Sequence, residues 1–125
     1  MQNFPLVSVI CLSYNHKAYV VEALNSVINQ TYPNIELLIA DDCSSDNSIG
    51  VIKDWVKNHP EVHFSSNEKN LGNTKTFNQL AKIAKGEFII DLAADDLLVP
   101  NCIEKQVTTF QNSKYKNLGI VYGNL

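Results

Sequence analysis

Apolar and polar positions follow one another along this chain in blocks that predict an alternation of strands and helices. Short runs that are almost wholly apolar are typical of strands buried on both faces. Longer segments with apolar side chains three or four positions apart are typical of helices that pack on one side. The strand-like runs cover residues 7–12, 35–40, 62–66, 87–93 and 118–125, of which the third is the weakest.

Four helical stripes lie between these runs. Their apolar positions are Val20, Leu24, Val27 and Ile28 in the first, Ile49, Ile52, Trp55 and Val56 in the second, Phe77, Leu80, Ala81 and Ala84 in the third (residues 76–85), and Ile103, Val107 and Phe110 in the fourth. Regular alternation of strand and helix predicts an α/β fold, with a mainly parallel sheet of about five strands and helices on both faces.

Polar side chains collect directly after three of the predicted strands. Ser13, Tyr14 and Asn15 follow the first, the segment "DDCSSD" (41–46) follows the second, and Asp95 and Asp96 follow the fourth. Parallel strands place their carboxyl ends at one edge of the sheet, where ligands of such folds bind. We therefore expect these distant residues to meet at one crevice.

The residue types at this edge suit an anionic nucleotide. The ring of Tyr14 can stack on a planar base, and the carboxylate of Asp42 can accept hydrogen bonds from a base or a sugar. Adjacent like charges such as Asp95 and Asp96 repel each other unless a cation or hydrogen-bond donors compensate. Carboxylate oxygens are preferred ligands of Mg²⁺ and Mn²⁺, and Mg²⁺ is usually shared with substrate phosphates. The pattern thus predicts a divalent cation that neutralises a diphosphate.

Each of these residues also has a purely structural interpretation. Asp41 and Asp42, with the serines that follow, are good caps for the next helix, and Asp95 or Asp96 can cap the turn before Pro100. Asp91, inside the fourth strand, either points toward the crevice or pairs with a lysine. The sequence leaves these alternatives open.

Composition narrows the function. The 125 residues suit one domain or part of one, and no apolar stretch approaches the ~20 residues that span a bilayer. With 10 basic and 13 acidic residues, a net charge of −3 and no run of Lys or Arg, nucleic-acid binding is not expected. The N-terminus does not read as a secretion signal. The expected location is the cytoplasm, including the inner face of a membrane. Neither the three cysteines nor the three histidines show the spacing of a zinc or redox motif.

Several motifs together resemble the opening of the family 2 glycosyltransferases, which are inverting enzymes with the GT-A, Rossmann-like fold. The matching segments are Tyr14-Asn15, "SVINQTYPN" (26–34), "DDCSSD" (41–46) and "NLGNTKTFNQLAKIAKGEFI" (70–89). The resemblance covers nearly the whole chain. It implies a nucleoside diphosphate sugar as donor, with a UDP-sugar favoured, and an acceptor glycan or lipid-linked saccharide in polysaccharide or glycoconjugate synthesis.

The resemblance also implies roles for single residues. Tyr14 would border the base, Asp42 would hydrogen-bond it, and Asp95, the last acid of the family's Asp-x-Asp, would bind Mn²⁺ or Mg²⁺ beside Asp96. The expected nucleotide-sugar-binding residues are Ser13, Tyr14, Asn15, Asp42, Ser44, Lys75, Asp95 and Asp96, with Asp95 as the metal ligand.

This chain departs from the family pattern at two positions. Ala93 stands where many members have the first Asp of Asp-x-Asp, which makes metal dependence less secure. Phe77 stands where many members have an Arg, and Lys75 is a candidate to supply the missing charge.

We expect residues 1–125 to be the nucleotide-sugar-binding half of a GT-A domain that is truncated at the fifth strand. The acceptor-binding half and the general base would then lie beyond Leu125. The alternative is a receiver-like signalling module that binds Mg²⁺. A receiver would carry its acid pair after the first strand, whereas this chain has Ser-Tyr-Asn there.

Overall fold

The computed structural model describes residues 4–111 and 120–122, and it confirms the predicted alternation of strands and helices. The elements are β1 (Val7–Ser13), α1 (Val20–Ile28), β2 (Ile35–Asp41), α2 (Ser48–Val56), β3 (His63–Ser66), α3 (Asn73–Ile83), β4 (Phe88–Ala93), α4 (Cys102–Gln111) and β5 (Ile120–Tyr122). Residues 118, 119 and 123–125 of the predicted fifth strand lie outside the described residues.

The strands form one parallel sheet in the order β3-β2-β1-β4-β5. The strand β1 lies in the middle, with β2 on one side and β4 on the other, so strand order reverses there. In register, Ser13 at the end of β1 is opposite Asp41 of β2, and Leu12 is opposite Ala93 of β4. The carboxyl ends of these three strands are therefore neighbours, as the polar pattern predicted.

Helices cover both faces of the sheet, which confirms the predicted α/β class. One face of β1 carries Val9 and Cys11 and packs against α1, α2 and α4. The other face carries Ile10, which packs with Leu80 of α3. All four side chains are at most 2% exposed, and burying one aliphatic side chain contributes ~1.5–3 kcal/mol. Because side chains of β1 point alternately to the two faces, this packing fixes which residues of its carboxyl end face α3.

The helix α3 begins three residues earlier than its apolar stripe predicted and ends two residues earlier. It starts at Asn73 because the carbonyl of Gly72 accepts a hydrogen bond from the backbone N–H of Thr76 (3.2 Å). It ends because Ala84 is extended (ψ 138°), which brings the backbone N–H of Gly86 to the hydroxyl of Ser8 (2.8 Å).

The loop after β4, which carries Asp95 and Asp96, is fixed by hydrogen bonds with α1 and the residues that follow α1. The side chain of Gln30 donates to the carbonyl of Val99 (2.7 Å) and accepts from the backbone N–H of Ile103 (2.9 Å). The hydroxyl of Ser26 accepts from the N–H of Leu98 (3.1 Å).

The longest helix of the described residues has 11 residues, against the ~20 that a membrane span requires, so none of the described helices can cross a bilayer.

Candidate active site

A cavity of about 470 Å³ opens at the carboxyl ends of β1 and β4, on the face of the sheet that α3 covers. This is the point where strand order reverses, and open parallel sheets bind their ligands at such points. The lining residues are Leu12, Tyr14, His16, Asn73, Thr74, Phe77, Asn78, Asp91, Ala93 and Asp96. The cavity therefore combines an aromatic ring, amides and carboxylates at one rim.

Three of the predicted site residues meet at this rim. Tyr14 and Asp96 line the cavity, and Tyr14 is 44% exposed, which leaves its ring accessible to a ligand. The carboxylate of Asp95 lies 3.8 Å from Nε2 of His16, which is itself a lining residue. The spatial convergence predicted for Tyr14, Asp95 and Asp96 is thus present.

Asp42 lies behind the rim and is only 3% exposed. Its Oδ1 accepts hydrogen bonds from Asn67 Nδ2 (2.9 Å) and from the backbone N–H of Leu71 (2.8 Å), and its Oδ2 accepts from the N–H of Gly72 (2.9 Å). Burial would raise the pKa of Asp42, but these hydrogen bonds and one from Thr76 outweigh it and hold the pKa below its usual value. The carboxylate therefore fixes the loop from which α3 and its cavity-lining residues start.

Asn15 connects the loop after β1 to the loop after β2. Its Oδ1 accepts hydrogen bonds from the backbone N–H groups of Ser45 (2.8 Å) and Asp46 (3.3 Å), and its own N–H donates to the hydroxyl of Ser44 (2.9 Å). Its φ of 56° lies in the left-handed region, which Asn tolerates better than most residues. The geometry gives Asn15 and Ser44 positioning roles in the loops that flank the cavity.

The acids of the second loop are also engaged within the protein. Asp41 is fully buried and accepts from the N–H (2.8 Å) and the hydroxyl (2.5 Å) of Ser44. Asp46 accepts from the hydroxyl and the N–H of Ser48, and the N–H of Lys17 donates to it at 3.2 Å. The hydroxyl of Ser48 is the main reason why the pKa of Asp46 lies below its usual value. Neither Asp41 nor Asp42 therefore caps α2 as the sequence allowed: Asp41 fixes the loop before the helix, and it is Asp46 that bonds Ser48, the first residue of α2.

Besides Asn15, Asp42 and Ser44, which hold the loops around the cavity, two further predicted residues do not line it. Ser13 is 1% exposed, and its Oγ has no hydrogen-bond partner among the described residues. Leu12 lines the cavity, so the alternation of β1 turns Ser13 toward the opposite face. Lys75 is an exposed residue of α3 that is not part of the lining.

Sequence reasoning missed several lining residues and left Asp91 undecided. Asp91 lines the cavity, and burial raises its pKa above the usual value. Asn73 and Thr74 went unnoticed because the apolar stripe of α3 gives no sign of its polar first turn. His16 is one of the three histidines that lack the spacing of a zinc motif, and no sequence signal places it beside Asp95.

The lining is more acidic than basic. Asp91 and Asp96 contribute carboxylates, Asp95 is adjacent, and the lining residues named above include no Lys or Arg. Within residues 4–111 and the backbone of 120–122, no group of three or more His, Cys, Asp or Glu side chains is arranged to hold a metal ion. A cation at Asp95 would therefore need further ligands from a bound diphosphate, as is usual for Mg²⁺.

The sequence is similar to known glycosyltransferases over most of its length. The family described as Glycosyl transferase family 2 matches residues 8–123. An uncharacterized glycosyltransferase of Haemophilus influenzae is 35% identical over 115 residues, which cover 92% of this chain and 36% of that protein. Chondroitin synthase of Escherichia coli is 34% identical over 122 residues, which cover 98% of this chain and 17% of the synthase.

A solved structure gives the same result for the fold. Residues 1–349 of S. aureus TarS in complex with UDP-GlcNAc superpose with a TM-score of 0.76 at 29% identity, over 85% of this chain and 31% of that one. The chain thus spans well under half the length of the proteins it matches. The receiver-like alternative is not favoured by any of these matches. The match over residues 8–123, together with the parallel sheet and the cavity where strand order reverses, shows that the chain belongs to glycosyl transferase family 2.

Proposed function

We propose that this chain is the nucleotide-sugar-binding part of an enzyme that transfers a sugar from a nucleoside diphosphate donor, a UDP-sugar, to an acceptor hydroxyl with inversion. The observation that carries the proposal is the cavity at the strand-order reversal, which gathers Tyr14, Asp91 and Asp96 beside Asp95. Family membership and the UDP-GlcNAc held by the similar TarS chain support it.

The donor would occupy the rim with its base against Tyr14. The exposed ring of Tyr14 offers an apolar face for stacking on a planar base. Asp42 would act on the nucleotide through the loop it fixes, since three of its acceptor positions are already occupied by Asn67, Leu71 and Gly72. A direct hydrogen bond between Asp42 and the base stays a prediction.

A divalent cation, Mn²⁺ or Mg²⁺, would bind at Asp95 with Asp96 beside it. The acidic lining would repel a diphosphate, and a bound cation would reverse that local charge. When bound, the cation would stabilise the negative charge that the diphosphate gains as the leaving group departs. Asp95 and Asp96 would hold and orient it, while His16, 3.8 Å from Asp95, would orient that carboxylate.

The general base and the acceptor site are not assigned to any residue of this chain. Inverting transfer requires a base that takes the proton of the acceptor hydroxyl. An acceptor glycan or lipid-linked saccharide, and a place in the cytoplasm or at the inner face of a membrane, are part of the proposal.

Calorimetric titration of the protein with UDP, with and without Mn²⁺, tests the binding step. We expect binding that strengthens when Mn²⁺ is present, and an Asp95→Ala variant that loses this strengthening. Asp54→Ala is the matched control, because Asp54 is an exposed acid of α2 whose side chain is 79% accessible. A folded protein that binds no UDP in either condition would contradict the proposal. Inversion is a separate test: NMR would give the anomeric configuration of the product of sugar transfer.

A further inference from the structure

The carboxylate of Asp91 lies in the cavity without a partner among the described residues. Asp91 is half-buried in the middle of β4, next to Ile10 of β1 in register. The nearby lining residues Leu12 and Phe77 are apolar. Within residues 4–111, no hydrogen bond or ion pair to the Asp91 side chain is present, whereas Asp41, Asp42 and Asp46 all have such partners.

This arrangement costs stability unless something else satisfies the carboxylate. Removing a carboxylate from water without giving it a hydrogen bond disfavours its charged form, and burial raises the pKa of Asp91 accordingly. A group that destabilises the unliganded fold and faces a cavity is typical of a binding site. The missing donor would therefore come from a ligand.

Ala93 leaves the path to Asp91 open. Residues 91 and 93 are two positions apart on β4, so their side chains point to the same face and both line the cavity. Their Cα atoms are separated by about 6–7 Å along the strand. Since alanine ends at its Cβ, a ligand at the rim can pass Ala93 and reach the deeper carboxylate.

We propose that Asp91 accepts a hydrogen bond from a hydroxyl group of the bound nucleotide sugar and so contributes to donor specificity. This inference rests on the proposed function. A phosphate is excluded as the partner, because it would bring negative charge to a carboxylate. The base is assigned to Tyr14 at the rim. The hydrogen bond to Asp91 would therefore come from a hydroxyl of the ribose or from a hydroxyl of the transferred sugar.

The test compares wild type, Asp91→Ala and Asp91→Asn by calorimetry with UDP, 2′-deoxy-UDP, 3′-deoxy-UDP and UDP-GlcNAc, with Asp54→Ala as the matched control. Loss of a hydrogen bond to a charged group corresponds to roughly a 10-fold or larger loss of affinity. If a ribose hydroxyl donates, Asp91→Ala binds UDP more weakly by this factor. Wild type then binds one of the two deoxy nucleotides more weakly than UDP by the same factor. If the transferred sugar donates, Asp91→Ala weakens UDP-GlcNAc and leaves UDP unchanged.

Urea unfolding separates this role from a structural one. Because the carboxylate has no partner among residues 4–111, Asp91→Ala and Asp91→Asn should be at least as stable as wild type. Lower stability of both variants would overturn the inference. Equal binding of UDP and UDP-GlcNAc by wild type and Asp91→Ala would overturn the inference alone, whereas absence of any UDP binding by folded wild type would overturn the proposed function with it.

Discussion

The Asp42 carboxylate should be one of the most important polar groups for the stability of this fold. It is 3% exposed and accepts hydrogen bonds from the side chain of Asn67 and from the N–H groups of Leu71 and Gly72. Replacing Asp42 with Ala removes these acceptors at once. The donors that remain are partly buried, so water can replace the carboxylate only incompletely.

The size of the effect follows from these three contacts. A hydrogen bond to a charged group contributes about 1.5–3 kcal/mol, and bonds that share one acceptor group are not additive. We therefore expect Asp42→Ala to lower the free energy of unfolding by about 3–5 kcal/mol, a large share of the 5–15 kcal/mol that is typical of a domain. Asp42→Asn, which keeps one acceptor oxygen, should lose less.

Urea denaturation followed by circular dichroism measures this loss. The control is Asp54→Ala on the exposed side of α2, for which a change within about 0.5 kcal/mol is expected. The backbone amides of the loop from Asn67 to Gly72 should also exchange their hydrogens faster in Asp42→Ala than in wild type. If Asp42→Ala lost less than about 1 kcal/mol, the assignment of this carboxylate as the anchor of the loop would be wrong.

The same contacts predict a pH dependence of stability. The pKa of Asp42 is lower in the folded protein than its ordinary value, because its hydrogen bonds favour the charged form. Its contribution is therefore fully present above the unfolded pKa of about 3.9 and is lost as pH falls through the lower folded pKa. The stability difference between wild type and Asp42→Asn should stay constant from neutral pH down to about pH 5 and shrink in more acidic solution.

Two further predictions concern cysteine reactivity and glycine packing. Burial, together with the nearby charges of acidic side chains, raises the pKa of Cys11 to about 12. A thiol reagent such as DTNB at pH 8 should therefore label the partly exposed Cys43 in the native protein and leave Cys11 unlabelled until urea is added. Fast labelling of Cys11 in the native protein would contradict its burial. A Cβ at Gly86 would lie 2.6 Å from a backbone nitrogen of β1, whereas one at Gly50 would meet only a movable side chain at 2.4 Å. Gly86→Ala should therefore cost about 2 kcal/mol or more in urea unfolding and Gly50→Ala much less, and equal costs would contradict the close approach.

The spacing of apolar residues was enough to predict the fold. A strand buried on both faces needs a continuous apolar run, and a helix packed on one side needs a stripe, so both requirements appear locally in the sequence. The polar edge followed from the alternation alone, because parallel strands share one carboxyl edge. The start of α3 was missed because its first turn, at Asn73 and Thr74, is polar and faces the cavity.

The roles of individual polar residues could not be predicted in the same way. Asp42 follows a buried strand and Asp91 lies within one, yet Asp42 is surrounded by donors and Asp91 has none among the described residues. The donors to Asp42 come from residues 25–30 positions away in the sequence. Local patterns carry no information about such distant partners.

The sequence by itself determined the order of the elements, the α/β class and the edge at which polar residues gather, because each depends on which face of a local segment must leave water. Only the tertiary structure decided how those polar residues are used. Asp41, Asp42 and Asn15 are committed to hydrogen bonds within the protein, while Tyr14, Asp91 and Asp96 are left to line the cavity. The physical reason is that the free energy of a polar group depends on the partners that the fold brings to it.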